Sequence, residues 1–193
     1  ALTKFVIAKR KLAHLGYKNS VIGYSYDSNT TGAQYILHAL HALHIAVIIA
    51  NKNGRNLAKF VTDFKQKSPE TKIRLMGHSL GAHVILSTIK NLAKSTKNKG
   101  IIEAVYLFGG SIPSDALSVK NASYAQKIVS TKIRNYYSPH DEVLRVADYW
   151  NWVDTPIGYK GAHGKTISKY SQTMVKPKNH RFASYAAVLR SFP

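Results

Sequence analysis

The stretch Gly77-His78-Ser79-Leu80-Gly81 constrains this chain more than any other. It lies between Ile73-Arg74-Leu75-Met76, a short β-prone run, and Ala82-His83-Val84-Ile85-Leu86, which has helical spacing. A strand that turns into a helix within so few residues needs small side chains two positions before and two after the serine, where the elements cross. Such a unit buries its strand only beside further strands, so it asks for a parallel sheet with helices on both faces.

The rest of the chain supplies matching elements. Leu2, Phe5, Val6, Leu12, Ala13 and Leu15 give residues 1–15 a helical stripe, and Gly16 is placed to end it. Residues 21–26 form a β-prone run ending in Asp27-Ser28-Asn29. Ile36, Leu37, Leu40, Leu43, His44, Val47 and Ile48 trace a second helix, which Asn51-Lys52-Asn53-Gly54 is expected to break. Leu57, Phe60, Val61 and Phe64 resume the period as far as Ser68-Pro69. Further strands are expected at 73–77, 101–108, 133–137 and 170–175. Further helices are expected at 82–94, 114–128, 141–150 and 182–190, with residues 154–169 as loop. No repeat or low-complexity linker divides the chain. Residues 1–193 therefore read as one α/β domain with about five mostly parallel strands.

Composition narrows the chemistry. With 193 residues, 45% of them hydrophobic, the chain can build a core, and a wholly disordered protein is excluded. The absence of cysteine excludes disulfides, thiolate metal sites and a thiol nucleophile. No apolar run reaches the ~20 residues of a spanning helix. The nearest approach, residues 35–50, is interrupted by His38, His41 and His44. Those three histidines step around a helix by about 60° each, so neighbouring pairs could share a metal. With no acidic residue nearby to complete or orient such a site, they read as part of a half-buried helix. Ile45 and Ile49 lie off the main stripe, which suits either a packing helix or a flap over an active site. Lys plus Arg number 28 against 9 Asp plus Glu, a net charge of +19, with a denser patch at Lys90, Lys94, Lys97 and Lys99. Without zinc-finger spacing or an RNA-binding aromatic motif, that charge fits an anionic surface or membrane interface better than nucleic acid.

Ser79 is the chemical candidate. At a helix N-terminus, free N–H groups and the helix dipole favour developing negative charge. The run Gly-His-Ser-Leu-Gly-Ala-His at 77–83 resembles the nucleophile elbow of the α/β-hydrolase superfamily, in particular that of lipases and carboxylesterases. The order of expected elements resembles that fold over essentially the whole chain. The resemblance implies a serine nucleophile followed by an acid and then a histidine. Asp141, in Ser138-Pro139-His140-Asp141 just past the 133–137 strand, stands where the family places its acid. Asp115 is the alternative acid, and capping of the next helix is the alternative role for Asp141. His180, before the closing helix, stands in the place of the base, with His163 as alternative.

The resemblance further implies an acyl-enzyme on Ser79, an oxyanion contact from the Leu80 N–H, an ester or lipid-like small-molecule substrate, and no cofactor or metal. The same triad serves acyltransferases and thioesterases, and a hydrolase scaffold can carry a non-catalytic basic binding protein. In the family, a strand and a glycine-containing loop precede the first helix and supply a second oxyanion donor. That strand would lie between the 21–26 and 73–77 strands. The resemblance thus implies a polypeptide that extends upstream of Ala1.

Overall fold

A computed structural model describes residues 2–25, 36–149, 154–190 and 192. Four strands form one parallel sheet in sequential order: β1 (Arg74–His78), β2 (Ile102–Phe108), β3 (Val129–Tyr137) and β4 (Tyr170–Met174). The register places Leu75, Val105, Ile133 and Tyr170 in one row across the sheet. Around it lie α1 (Leu2–His14), α2 (Ile36–Lys67), α3 (Gly81–Leu92), α4 (Val119–Ala122), α5 (Ala125–Ile128), α6 (Glu142–Tyr149), α7 (Ile157–Lys160) and α8 (Phe182–Ala187).

Strand alternation sends side chains into two cores. Leu75, Val105, Leu107 and Ile133 meet Leu57, Ala58 and Val61 of α2 and Ile85, Ile89 and Leu92 of α3. Ala104, Tyr106, Phe108 and Tyr136 meet Leu12 of α1, Tyr185 of α8 and Phe192. Helices thus cover both faces, and β2 is buried on both, as a central parallel strand should be. The α/β class expected from the sequence holds.

Helix α1 ends as its glycine suggests. Gly16 adopts φ 86°, and the Tyr17 and Gly16 N–H groups return to the carbonyls of Leu12 and Ala13. Helix α2 departs from expectation, running unbroken through Asn51-Lys52-Asn53-Gly54. Tertiary packing overrides the breaker residues here. A Cβ on Gly54 would lie 2.4 Å from Ser87 Cβ and 2.8 Å from the Val84 carbonyl oxygen, so glycine is what lets α2 lie against α3. The Ser87 hydroxyl donates to the Asn51 carbonyl (2.7 Å) across that contact, and Asn53 Nδ2 bonds back to Ile49 (2.9 Å). Over its described side chains, α2 is therefore a packing helix.

The strand expected at 21–26 does not form over 21–25, and Tyr26 lies outside the described residues. Val21 packs into the second core, Ile22 is 71% exposed, and the Tyr24 hydroxyl donates to the Asn53 carbonyl (3.2 Å). The sheet therefore has four strands among the described residues, not about five, and none of them flanks β1 opposite β2. The helix expected at 114–128 is two short ones, α4 and α5. The expected 154–169 loop contains α7.

Candidate active site

Ser79 follows β1 directly and is the only non-glycine among the described residues with left-handed backbone, at φ 54°. Such a conformation costs on the order of 1–3 kcal/mol and persists where its surroundings over-determine it. Here they do. The Ser79 N–H donates to the Phe108 carbonyl (3.2 Å), and the Ser79 carbonyl accepts from the Ala82 (3.0 Å) and Ser111 (3.3 Å) N–H groups. The two glycines of the turn differ. A Cβ on Gly77 would lie 2.8 Å from the Gly81 carbonyl oxygen, whereas one on Gly81 would meet nothing within 4 Å. The expectation that both must be small is thus corrected: only Gly77 is fixed by space. The Leu80 N–H, at the N-cap of α3, has no hydrogen-bond partner among the described residues.

The imidazole of His180 lies between Ser79 and Asp141. Its Nε2 is 2.9 Å from Ser79 Oγ and its Nδ1 is 2.7 Å from Asp141 Oδ2. An ionised carboxylate only accepts, so Nδ1 carries the proton, which leaves the Nε2 lone pair to take one from the serine hydroxyl. Ser79 is half-buried, whereas Asp141 is 1% exposed.

The turn that presents Asp141 is tied down by its own backbone. The Ser138 N–H donates to the Gly158 carbonyl (2.9 Å), and the Asp141 N–H to the Ser138 carbonyl (3.1 Å). Asp141 Oδ1 accepts from the Leu144 N–H (3.2 Å), capping α6, and Oδ2 accepts from the Tyr185 hydroxyl (2.6 Å). Both roles weighed for Asp141, cap and partner of a histidine, thus hold geometrically in one side chain. Burial pushes its carboxyl up, but the hydrogen bonds from His180 and Tyr185 outweigh it and hold the group below the ordinary aspartate value.

The alternatives lie elsewhere. Asp115 is exposed and accepts from Asn121 Nδ2 (2.9 Å), and His163 is exposed. His14 and His44 are exposed, and the side chains of His38 and His41 lie outside the described residues. His83 is buried with Nε2 3.2 Å from the Ser111 carbonyl oxygen, and burial pushes its imidazole down. Among the described residues there is no group of three or more His, Asp or Glu able to hold a metal ion. Nor is any described helix long and apolar enough to cross a membrane.

Two neighbours escaped the sequence reading. His78 Nε2 lies 2.5 Å from the His180 carbonyl oxygen, so that nitrogen donates, and the two rings sit 4.8 Å apart. Tyr185 lies within the closing helix expected over 182–190. The hint was its hydroxyl, which a buried tyrosine must satisfy.

Comparison with known proteins adds two findings. Residues 33–151 match the family described as "Protein of unknown function (DUF726)". A 104-residue stretch, 53% of the chain, is 34% identical to the "Transmembrane and coiled-coil domain-containing protein STS1" of Oryza sativa subsp. japonica. The matched stretch spans only 15% of the length of that rice protein. No solved structure matches the chain.

Proposed function

The chain belongs to the DUF726 family, and we propose that it is a serine hydrolase of the α/β-hydrolase type that cleaves carboxylic esters through an acyl-enzyme on Ser79. One observation carries the reading. The hydroxyl of Ser79, a half-buried residue held in left-handed backbone, lies 2.9 Å from an imidazole whose other nitrogen is bonded to a buried carboxylate.

In this reading Ser79 Oγ attacks the ester carbonyl carbon while His180 Nε2 takes the hydroxyl proton. The negative charge that develops on the former carbonyl oxygen is met by the Leu80 N–H, which has no partner among the described residues, and by the N-terminus of α3. Collapse of the tetrahedral intermediate breaks the bond to the alcohol, which leaves with the proton held by His180. Water then attacks the acyl carbon and gives a proton to His180. The second collapse returns that proton to Ser79 Oγ and releases the acid. Asp141 remains ionised throughout, holds the Nδ1–H tautomer and stabilises the imidazolium. No step needs a cofactor.

The charge of +19 supports work at an anionic surface, and so does the word "transmembrane" in the name of the rice relative. Hydrolysis of nitrophenyl esters of graded chain length tests the reading. Ser79→Ala and His180→Ala should each lower the rate by at least ~10³, and the double variant should be little worse, because the pair acts as a unit. Undiminished hydrolysis by folded Ser79→Ala refutes it.

A further inference from the structure

Asp141 Oδ2 receives two short hydrogen bonds at once, from His180 Nδ1 (2.7 Å) and from the Tyr185 hydroxyl (2.6 Å). Tyr185 is 0% exposed, so its ring has no freedom to leave. The hydroxyl also has a place kept for it. Gly109, at φ 50° just past β2, would carry its Cβ 2.7 Å from Tyr185 Oη. Packing alone would be served by phenylalanine, and a buried hydroxyl with no partner would be costly.

We propose that Tyr185 is a positioning residue that acts through Asp141 on His180, fixing the plane of the carboxylate and drawing part of its charge away from the imidazole. The proposal rests on the reading of Ser79, Asp141 and His180 given above. First, a carboxylate oxygen has two in-plane lone pairs. With one held by Tyr185, and Oδ1 held by the Leu144 N–H, the other is left aimed at Nδ1. Second, a carboxylate that shares its charge between two donors stabilises an imidazolium less than one with a single donor. His180 then returns its proton to a leaving alcohol more readily.

Among the described residues, four groups are bonded to His180 directly or through its carboxylate partner. They are Ser79 and His78 from the end of β1, Asp141 from the turn before α6, and Tyr185 from α8 through that carboxylate. Arg181 and Glu142, next in sequence to the pair, are both exposed.

The test is the imidazole titration of His180, followed by nitrogen NMR on histidine-labelled protein and assigned by the signal lost in His180→Gln. Tyr185→Phe keeps the ring and removes only the hydroxyl. The protonation midpoint of His180 should move to higher pH by roughly half to one pH unit. The acid limb of fluorophosphonate labelling should move with it. A second variant with 3-fluorotyrosine at position 185 keeps the hydroxyl and makes it a stronger donor, so the midpoint should move the other way. A midpoint unmoved in both folded variants, or moved the same way in both, overturns the proposal. Because the titration needs no turnover, it separates the two claims. Shifts of opposite sign without labelling leave Tyr185 acting on His180 and overturn only the hydrolase reading. Labelling at Ser79 with no shift overturns only the role of Tyr185.

Discussion

Alanine at Gly77 and alanine at Gly81 should have opposite effects, although the two glycines are symmetric about Ser79 in the sequence. At Gly77 the new Cβ would stand 2.7 Å from Ile85 Cδ1, 2.8 Å from the Gly81 carbonyl oxygen and 2.9 Å from its carbon. The isoleucine terminus can turn away. The Gly81 peptide can move only by carrying the turn, and Ser79, with it. Overpacking of this kind costs ~1–3 kcal/mol. In a chain of this size each kcal/mol is worth about 2–4 °C, so Tm should fall by roughly 2–12 °C. A shift of the serine oxygen by ~1 Å should slow its reaction by ~10². At Gly81 the Cβ meets nothing within 4 Å, and the residue opens α3. Alanine there mainly restricts the unfolded chain, which stabilises by ~0.4–1 kcal/mol. Thermal melts by circular dichroism, paired with the rate of fluorophosphonate labelling, read both effects. Variants that melt and react alike would show that the Gly81 peptide does not hold position 77 to glycine.

Asp141→Asn should lower ester hydrolysis by ~10³–10⁴, because the imidazole loses the partner that fixes its tautomer, while Asp115→Asn should leave the rate unchanged. The reverse ranking, read in steady-state assays, would move the acid to Asp115. The folded chain holds the Asp141 carboxyl below its ordinary value, so its contribution to stability is fully present above the unfolded value of about 3.9 and drains away as pH falls through the folded one. Tm plotted against pH should therefore fall less steeply on the acid side in Asp141→Asn than in the parent, and equal slopes would contradict this. Vesicles containing anionic lipid should retain the protein at low salt and release it by about 0.5 M salt, where charges are screened within several Å. Equal retention by neutral vesicles would show that the charge of +19 is not what attaches it.

The sequence was most legible where one local signal decided the outcome. Gly16 ends α1 because a left-handed residue is needed there, and glycine supplies it at no steric cost. Val105 and Leu107 alternate with Ala104 and Tyr106 in a run apolar on both faces, which only a covered parallel strand explains. It was least legible where a distant surface outvoted a local preference. Gly54 looks like a helix breaker, yet it sits where α2 presses on Ser87, a contact that no window around residue 54 contains. Residues 21–25 have strand propensity, but a strand needs a partner, and none lies beside them among the described residues. At the site, the resemblance pointed to Ser79, Asp141 and His180, and the structure sets the His180 imidazole within hydrogen-bond distance of both other side chains. Tyr185 and His78 could not be found that way. Their contacts depend on how residues 180–185 meet the Asp141 turn and the end of β1, not on spacing along the chain.

The folded chain should be incubated with a fluorophosphonate probe, its intact mass measured, and the modified peptide sequenced by fragmentation. One adduct per chain, on Ser79, abolished by Ser79→Ala and slowed by at least ~10³ in His180→Ala, is the predicted result. A folded chain that stays unmodified at Ser79, or an adduct that survives Ser79→Ala, would contradict it.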